Sequence, residues 1–327
     1  RFCLHRFLGS DTDDYTYEAL KLFLLGAISR AFKPGCKFEV MLCLVGGQGA
    51  GKSSFFRLLA VNDDWFSDDL KKLDDENVYR KMQGHWIIEM SEMIATANAK
   101  SIEEIKSFLS RQKETYKIPY ETHPADRKRQ CVFGGSSNTL DFLPLDRTGN
   151  RRFVPVMVYP ERAEVHILAD EQASREYINQ MWAEAMEIYR SGNFRLRFSP
   201  AMNDYLKAHQ KDFMPEDTKA GQILDYLERY SGSMVCSKQL YKEALGHDYD
   251  EPKQWELREI NDIMNNAVTG WRAFSNPRYF PEPYRRQKGW ERIRNDNEPD
   301  NSMDGFQEIP TEEMEQLGLP EEWLKQK

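Results

Sequence analysis

An unbroken apolar run that feeds a glycine cluster, then a lysine and two serines, then an amphipathic segment leaves a chain few ways to fold. Here the run is Val40-Met41-Leu42-Cys43-Leu44-Val45 and the cluster is Gly46-Gly47-Gln48-Gly49-Ala50-Gly51. Lys52-Ser53-Ser54 then opens Phe55-Phe56-Arg57-Leu58-Leu59. The pattern G-x-x-x-x-G-K-[ST] is met without a mismatch. The apolar run predicts a strand buried on both faces, and the spacing beyond the cluster predicts a helix starting at Gly51 or Lys52. Glycines let consecutive N–H groups turn toward one point, where a Cβ would obstruct them, and the helix start adds its own unpaired N–H groups and dipole. Such a turn cradles phosphate. Residues Gly46, Gly47, Gln48, Gly49, Ala50, Gly51, Lys52, Ser53 and Ser54 are therefore the expected ATP binders, with Lys52 on the β- and γ-phosphates and the Ser53 hydroxyl on Mg²⁺. The bland alternative, a glycine-rich turn that binds nothing, fits poorly because both flanks agree with the motif.

The next apolar run, His85-Trp86-Ile87-Ile88-Glu89-Met90-Ser91-Glu92, predicts a second buried strand that ends in carboxylates. A strand-end carboxylate that holds the Mg²⁺ shell or polarises an attacking water is the usual second element of such an enzyme. Glu92, at the expected strand end, is the first candidate and Glu89 the second; either could instead face solvent. A third strand over Gln130–Phe133 runs into Gly134-Gly135-Ser136-Ser137-Asn138. Read alone this is a turn, but beside the phosphate loop Asn138 is a candidate γ-phosphate sensor. Arg151 and Arg152, ahead of the strand-like Val154–Val158, are candidates for an extra guanidinium on the transferring phosphoryl group. That role is worth roughly 10³–10⁵ in rate.

Between Lys106 and Arg129 there are seven basic and three acidic residues. The segment reads as a hairpin: a strand over residues 116–120, a turn over residues 121–126, and Arg127-Lys128-Arg129 on the return arm. Cations beside aromatic side chains suit a single-stranded backbone with stackable bases, although a solvated hairpin has the same composition. Helices are expected over residues 14–32, from Ser101, over residues 171–190 and over residues 199–213. Beyond Pro215 a smaller module is expected over residues 216–294, with three helices and a two-stranded wing in the winged-helix manner. Its segment Arg278–Arg294 holds six basic and two acidic residues with Tyr279, Tyr284 and Trp290 interleaved, so double-stranded DNA is a possible partner there, as is protein.

The net charge of −8 argues against a nucleic-acid partner only until it is divided along the chain. Residues 295–327 hold ten acidic and two basic side chains, and the remainder is balanced at 43 of each sign. The acidity belongs to a turn-rich tail. Five scattered cysteines without C-x-x-C spacing argue for a reducing cytosol and against zinc or a disulfide framework. No apolar run approaches the ~20 residues of a membrane span. The chain starts at Arg1, which suggests a piece of a longer protein.

The order of these motifs resembles the virulence-associated protein E family, ATPases of phages and mobile islands similar to superfamily 3 helicases within the AAA+ class. The resemblance rests on Lys33–Phe38, Gly47–Ser53, Trp86–Glu92, Gly134–Asn138 and Thr148-Gly149-Asn150-Arg151-Arg152-Phe153, over residues ~15–160. It implies an α/β P-loop NTPase core over residues 1–215 and a DNA-dependent ATPase that assembles as a ring, as a hexamer in the family. It further implies that Glu92 or Glu89 fills the second acidic motif, that Asn138 matches the first sensor, and that Arg151 or Arg152 serves a neighbouring subunit's nucleotide. The basic hairpin (Lys117, His123, Arg127, Lys128, Arg129) would be the pore element that grips single-stranded DNA. One departure is a lone Glu in the second motif where many such enzymes carry an Asp-Glu pair. The competing expectations are a P-loop kinase acting on a soluble acceptor and an ATP-gated assembly factor that holds a protein partner.

Overall fold

The computed structural model describes residues 2–70, 78–91, 99–117, 123–143, 145 and 150–293. The chain divides into two compact units, one ending at Thr218 and the other starting at Lys219. In the first unit, helices α1 (Cys3–Leu8) and α2 (Asp14–Phe32) precede strand β1 (Met41–Val45) and helix α3 (Lys52–Leu59). Then come β2 (Phe66–Ser67), α4 (Val78–Lys81), β3 (Ile87–Ser91) and α5 (Ala99–Ser110). After them follow β4 (Lys113–Tyr116), β5 (Ala125–Lys128), β6 (Val132–Ser137), β7 (Phe153–Met157), α6 (Glu171–Ser191) and α7 (Pro200–Gln210).

Five of these strands form one parallel sheet in the order β2-β3-β6-β1-β7. Every residue of β1 is buried, as a strand covered on both faces must be. Alternation of side chains then gives each face its own core. Leu42 and Leu44 pack with Phe23, Phe56 and Ile178 of α2, α3 and α6. Met41, Cys43 and Val45 join Phe108 of α5 together with Phe142 and Phe213. The result is a sheet between two helical layers, the class the sequence implied.

The expected helices appear close to their predicted bounds, and α2, α6 and α7 each start at a side-chain cap. The Asp13 side chain, for example, accepts from the Thr16 backbone N–H at 2.8 Å at the start of α2. Three departures have local causes. Helix α1 is too short to announce itself by periodicity. Strand β2 spans two residues and exists only because it pairs with β3. Gly134 to Ser137 is strand and not turn, because β6 is flanked by β1 and β3 and its backbone groups are committed to both. Gly134 faces the Phe56 ring so closely that any Cβ would overlap it. The glycine is there to let α3 lie on the sheet.

The second unit has its own core of Ile223, Leu227, Val235, Leu240, Ile260, Ile263 and Trp290. Its elements are α8 (Thr218–Arg229), β8 (Met234–Cys236), α9 (Ser237–Gln239) continued by a π-helical turn, and α10 (Gln254–Asn266). They are followed by β9 (Trp271–Ala273), β10 (Arg278–Phe280), β11 (Arg285–Gln287) and β12 (Gly289–Arg292). Strand β12 pairs antiparallel with both β8 and β9, and β10 with β11. Part of the expected DNA-facing character is spent inside this unit. Trp290 is core and donates to Asn265 Oδ1 at 2.9 Å, and the Tyr284 hydroxyl donates to Glu243 at 2.7 Å. Arg278 and Arg272 converge on Glu291. Arg292 donates to the carbonyls of Leu227 and Tyr230 at 2.9 and 2.6 Å.

The basic hairpin exists as β4 paired antiparallel with β5, but its first strand ends at Tyr116, where the sequence suggested it would begin. Residues 118–122 lie outside the described set. One member of the expected DNA-contacting group has to be withdrawn on physical grounds. Arg129 is 3% exposed; it donates to the Phe108 carbonyl at 2.6 Å, pairs with buried Glu114, and stacks over Phe108 and Phe133. The alternation of β4 turns Glu114 inward, and Arg129 follows it. Arg30 is buried beside this pair, with burial and then the Arg129 charge holding its pKa below the usual guanidinium range. Removing one partner of a buried ion pair strands the other. Arg129→Ala is therefore expected to lower unfolding free energy by about 3–5 kcal/mol, against a change within ~0.5 kcal/mol for exposed Lys128→Ala. Urea denaturation of both variants measures this, and equal losses would return Arg129 to the surface set.

Candidate functional site

Because the five strands are parallel, the segments that leave them at their carboxyl ends gather along one edge, where open α/β sheets bind ligands. From β1 leaves the loop Gly46–Gly51. Gly49 and Gly51 have φ of +80° and +81°, conformations that a side chain strains, and Gly51 caps α3, whose first residue is Lys52. Gly46 passes close against the carbonyl of Val158, where a Cβ would not fit. The loop is thus a backbone cradle ending in a helix N-terminus, as phosphate binding requires.

The side chains around the cradle come from α3, β3 and the carboxyl end of β6. Lys52 folds back into the loop and donates to the carbonyls of Gly46 and Gly47 at 2.7 and 2.8 Å and to Asn138 Oδ1 at 2.9 Å. Asn138 stands just beyond β6, so the lysine ties β1 to β6 at this edge. Glu89, in the middle of β3, is fully buried. One of its oxygens accepts from Ser53 Oγ at 2.8 Å and from Ser136 Oγ at 2.5 Å. The other has no hydrogen-bond partner among the described residues. Burial raises the Glu89 pKa, against the pull of Ser136, Ser53 and Lys52. Burial lowers the Lys52 pKa, against the pull of Glu89.

That open oxygen beside the Ser53 hydroxyl fits Mg²⁺, which takes one or two protein oxygens and completes its shell with phosphate and water. Among the described residues no three His, Cys, Asp or Glu side chains cluster as an all-protein metal site would need. Glu89 is set against the cradle through Ser53. Glu92 lies outside the described residues.

Arg151 and Arg152 stand at the opposite edge of the sheet. The Arg152 carbonyl accepts from Met41 N at 2.7 Å, at the start of β1, whereas the cradle begins five residues later. Strand rise makes that a separation of about 16 Å. Both guanidiniums are held there: Arg151 pairs with Glu39 at 3.0 Å, and Arg152 donates to Ser110 Oγ at 2.9 Å and pairs with Glu39 at 3.4 Å. The chain does not bring them to its own cradle. The hairpin, too, roots at the amino ends of the strands. Lys117, His123 and Lys128 are exposed on it, and the Arg127 guanidinium lies 5.2 Å from the Tyr116 ring centroid.

Three residues of this arrangement escape sequence reasoning. Ser136 binds the Glu89 carboxyl, and the signal for it was the period-2 continuation of β6 through the glycine pair. Glu39 and Ser110 hold the arginines, and no local pattern marks either, because their partners are distant in sequence.

Among solved structures, the A form apo structure of the NrS-1 C terminal region is similar, at TM-score 0.50 and 14% identity, covering 89% of this chain and 74% of that one. The apo structure of NrS-1 C terminal region (305-718) gives TM-score 0.46 with the same identity and coverage. At that identity the likeness speaks for the fold. No curated protein matches the chain at a significant level. Residues 1–215 match the model of the virulence-associated protein E-like domain, and the chain belongs to that family.

Proposed function

We infer that the first unit is a P-loop NTPase of the AAA+, superfamily 3 helicase-like type, and that it hydrolyses ATP to move along single-stranded DNA as a ring, six-membered by family resemblance. The setting is replication of a phage or mobile element in the bacterial cytosol. Family membership and the fold likeness to the NrS-1 C terminal region support this reading, as does the cradle at the carboxyl end of β1, an interior strand between β6 and β7. Among the described residues no helix is long and apolar enough to cross a membrane.

The observation that carries the reading is the division of charged groups between the two edges of the sheet. At the cradle edge are Lys52, Ser53, Glu89 and Asn138; at the far edge are Arg151 and Arg152. A protomer whose guanidiniums are held at the far edge, about five residues or ~16 Å of strand from the start of its own cradle, would complete a reaction centre by lending them to a neighbour. In the reading, loop N–H groups and Lys52 hold the triphosphate, and Asn138 passes from Lys52 to the γ-phosphate. Ser53 and Glu89 would hold Mg²⁺, which offsets charge on the phosphate oxygens. The exposed hairpin cations contact DNA. The second unit, with helices packed on β8-β12-β9, has the parts of a winged helix. Arg286 and Lys288 are exposed there for double-stranded DNA or a protein.

Single-stranded DNA is expected to raise ATP turnover, and binding should weaken steeply with salt. Lys52→Ala protomers and Arg151→Ala/Arg152→Ala protomers should each be inactive, with hydrolysis regained on mixing, because intact cradles then meet intact arginines. Co-assembly shown by light scattering without recovered phosphate release would sink the shared-site reading. A monomer that phosphorylates a soluble acceptor would point to the kinase instead.

Glu89 also predicts a pH signature. Its folded-state pKa is raised, so the native protein holds the proton more tightly than the unfolded chain. Stability from this group is present at acid pH and is lost as pH rises through the ordinary carboxyl range toward the folded value. Glu89→Gln should abolish turnover yet leave Tm higher at pH 8 than the parent, with the two curves converging near pH 4. Parallel curves would refute the assignment of a desolvated carboxylate.

A further inference from the structure

A cleft of about 840 Å³ opens at the amino ends of the strands, at the root of the hairpin and away from the phosphate loop. Its walls carry six aromatic side chains: Phe32, Trp65, Tyr79, Trp86, Tyr116 and Trp182. The floor is rigid. Trp86 stacks on Trp182 with centroids 4.7 Å apart, and its N–H donates to the Ala27 carbonyl at 3.0 Å. On the wall, Tyr79 stacks on Tyr116 at 5.8 Å, the Tyr79 hydroxyl accepts from Arg111 at 2.6 Å, and the Arg127 guanidinium backs Tyr116. Toward the opening, Phe32 and Trp65 are 62% and 45% exposed. A flat ligand would therefore meet ring faces that are already positioned.

The charge around this cleft is one-sided. Its two carboxylates are answered within the protein, Glu114 by Arg129 and Asp126 by Lys113 and Thr115. A smaller pocket of about 370 Å³, lined in part by Lys33, Gly35, Lys113 and Lys128, shares Pro34 and Lys128 with the cleft. Neither Lys33 nor Lys128 forms an ion pair among the described residues. Stacking planes next to unanswered cations repeat the alternation of base and phosphate along a single strand. An acidic helix or peptide would meet the same cations, but it would have no use for parallel ring faces.

We propose that this cleft is a nucleobase pocket: one or two bases of a single-stranded DNA enter it to stack on Trp65 and its aromatic neighbours, while the adjoining phosphates sit on Lys33 and Lys128. The proposal rests on the DNA-acting reading but places the grip at the hairpin's root and not at its tip. It also puts the strand at the edge of the sheet that carries Arg151 and Arg152, so that DNA and the nucleotide of the same protomer occupy opposite edges.

The test uses the full chain with fluorescein-labelled oligo(dT) in anisotropy titrations, and 5-iodouracil oligonucleotides for photocrosslinking. Trp65→Leu should weaken binding by roughly 5- to 150-fold, the range of one lost stack, and Trp65→Phe should retain most of the affinity. Lys128→Ala should reduce the slope of log affinity against log salt by about one phosphate contact. Crosslinks should map to Trp65, Tyr79 or Tyr116. Thermal melts of the variants guard against misfolding, and crosslinking of the unaltered chain needs no variant. If the parent binds oligo(dT) while both Trp65 variants bind equally well and crosslinks fall only on residues 117–124 or the second unit, the pocket is overturned and the DNA reading stands. If the parent binds no oligonucleotide at low salt, the DNA reading itself has failed. Quenching of Trp65 emission by polyglutamate but not by oligo(dT) would assign the cleft to an acidic protein and overturn the proposal.

Discussion

A carboxylate in the middle of a buried strand, with two hydroxyl donors on one oxygen and, among the described residues, none on the other, is the constraint around which the first unit is arranged. Glu89 is costly to ionise where it stands, and its protein partners only partly offset that cost. Nothing about packing requires it, because an apolar residue would suit β3 better. What keeps such a group tolerable is the geometry of its neighbours. Strand β6 lies alongside and supplies Ser136, and α3 approaches closely enough for Ser53 to reach across. That approach in turn depends on Gly134, which leaves room for the Phe56 ring between helix and sheet. A desolvated acid and a desolvated lysine thus share one edge of the sheet.

The parallel sheet converts this local arrangement into a division of labour. Loops at the carboxyl ends of the strands collect the phosphate cradle, Lys52 and Asn138. Connections at the amino ends collect the arginines, the hairpin root and the aromatic cleft. The two edges are joined by strands only five or six residues long, so a shift of β1 against β6 or β7 would be felt at both. In the motor reading, this is the physical link between the state of the nucleotide and the grip on a strand. The buried Glu114–Arg129 pair serves the same end, because it anchors the return arm of the hairpin to α5 and β6. This arginine stiffens the hairpin root through buried contacts.

Much of this could be read from residues alone wherever the determining physics is local. A run of six apolar residues ending in glycines, a lysine at a helix start, and amphipathic stripes with caps are short-range patterns. The cradle, α2, α6, α7 and the fold class followed from them. Where neighbouring strands decide the outcome, local reading gave way. Gly134-Gly135-Ser136-Ser137 has the composition of a turn and is strand because two flanking strands claim its backbone. Between Glu89 and Glu92 the sequence favoured the strand-end residue, which lies outside the described residues; the hydrogen bonds of Ser53 and Ser136 fall on Glu89.

The sequence by itself determined that a glycine-rich turn joins a buried strand to a helix, that basic and aromatic residues share a hairpin, and that the net negative charge is confined to a tail. These follow from backbone freedom at glycine, side-chain periodicity and the count of charges, none of which needs a partner from elsewhere in the chain. Only the tertiary structure decided which edge of the sheet each group occupies, that Arg129 is buried while Lys128 is not, and that Glu39 and Ser110 hold the two arginines away from their own cradle. Those outcomes depend on strand order and register, which bring together residues 40 to 110 positions apart, and on burial, which sets whether a charge meets water, a partner or neither.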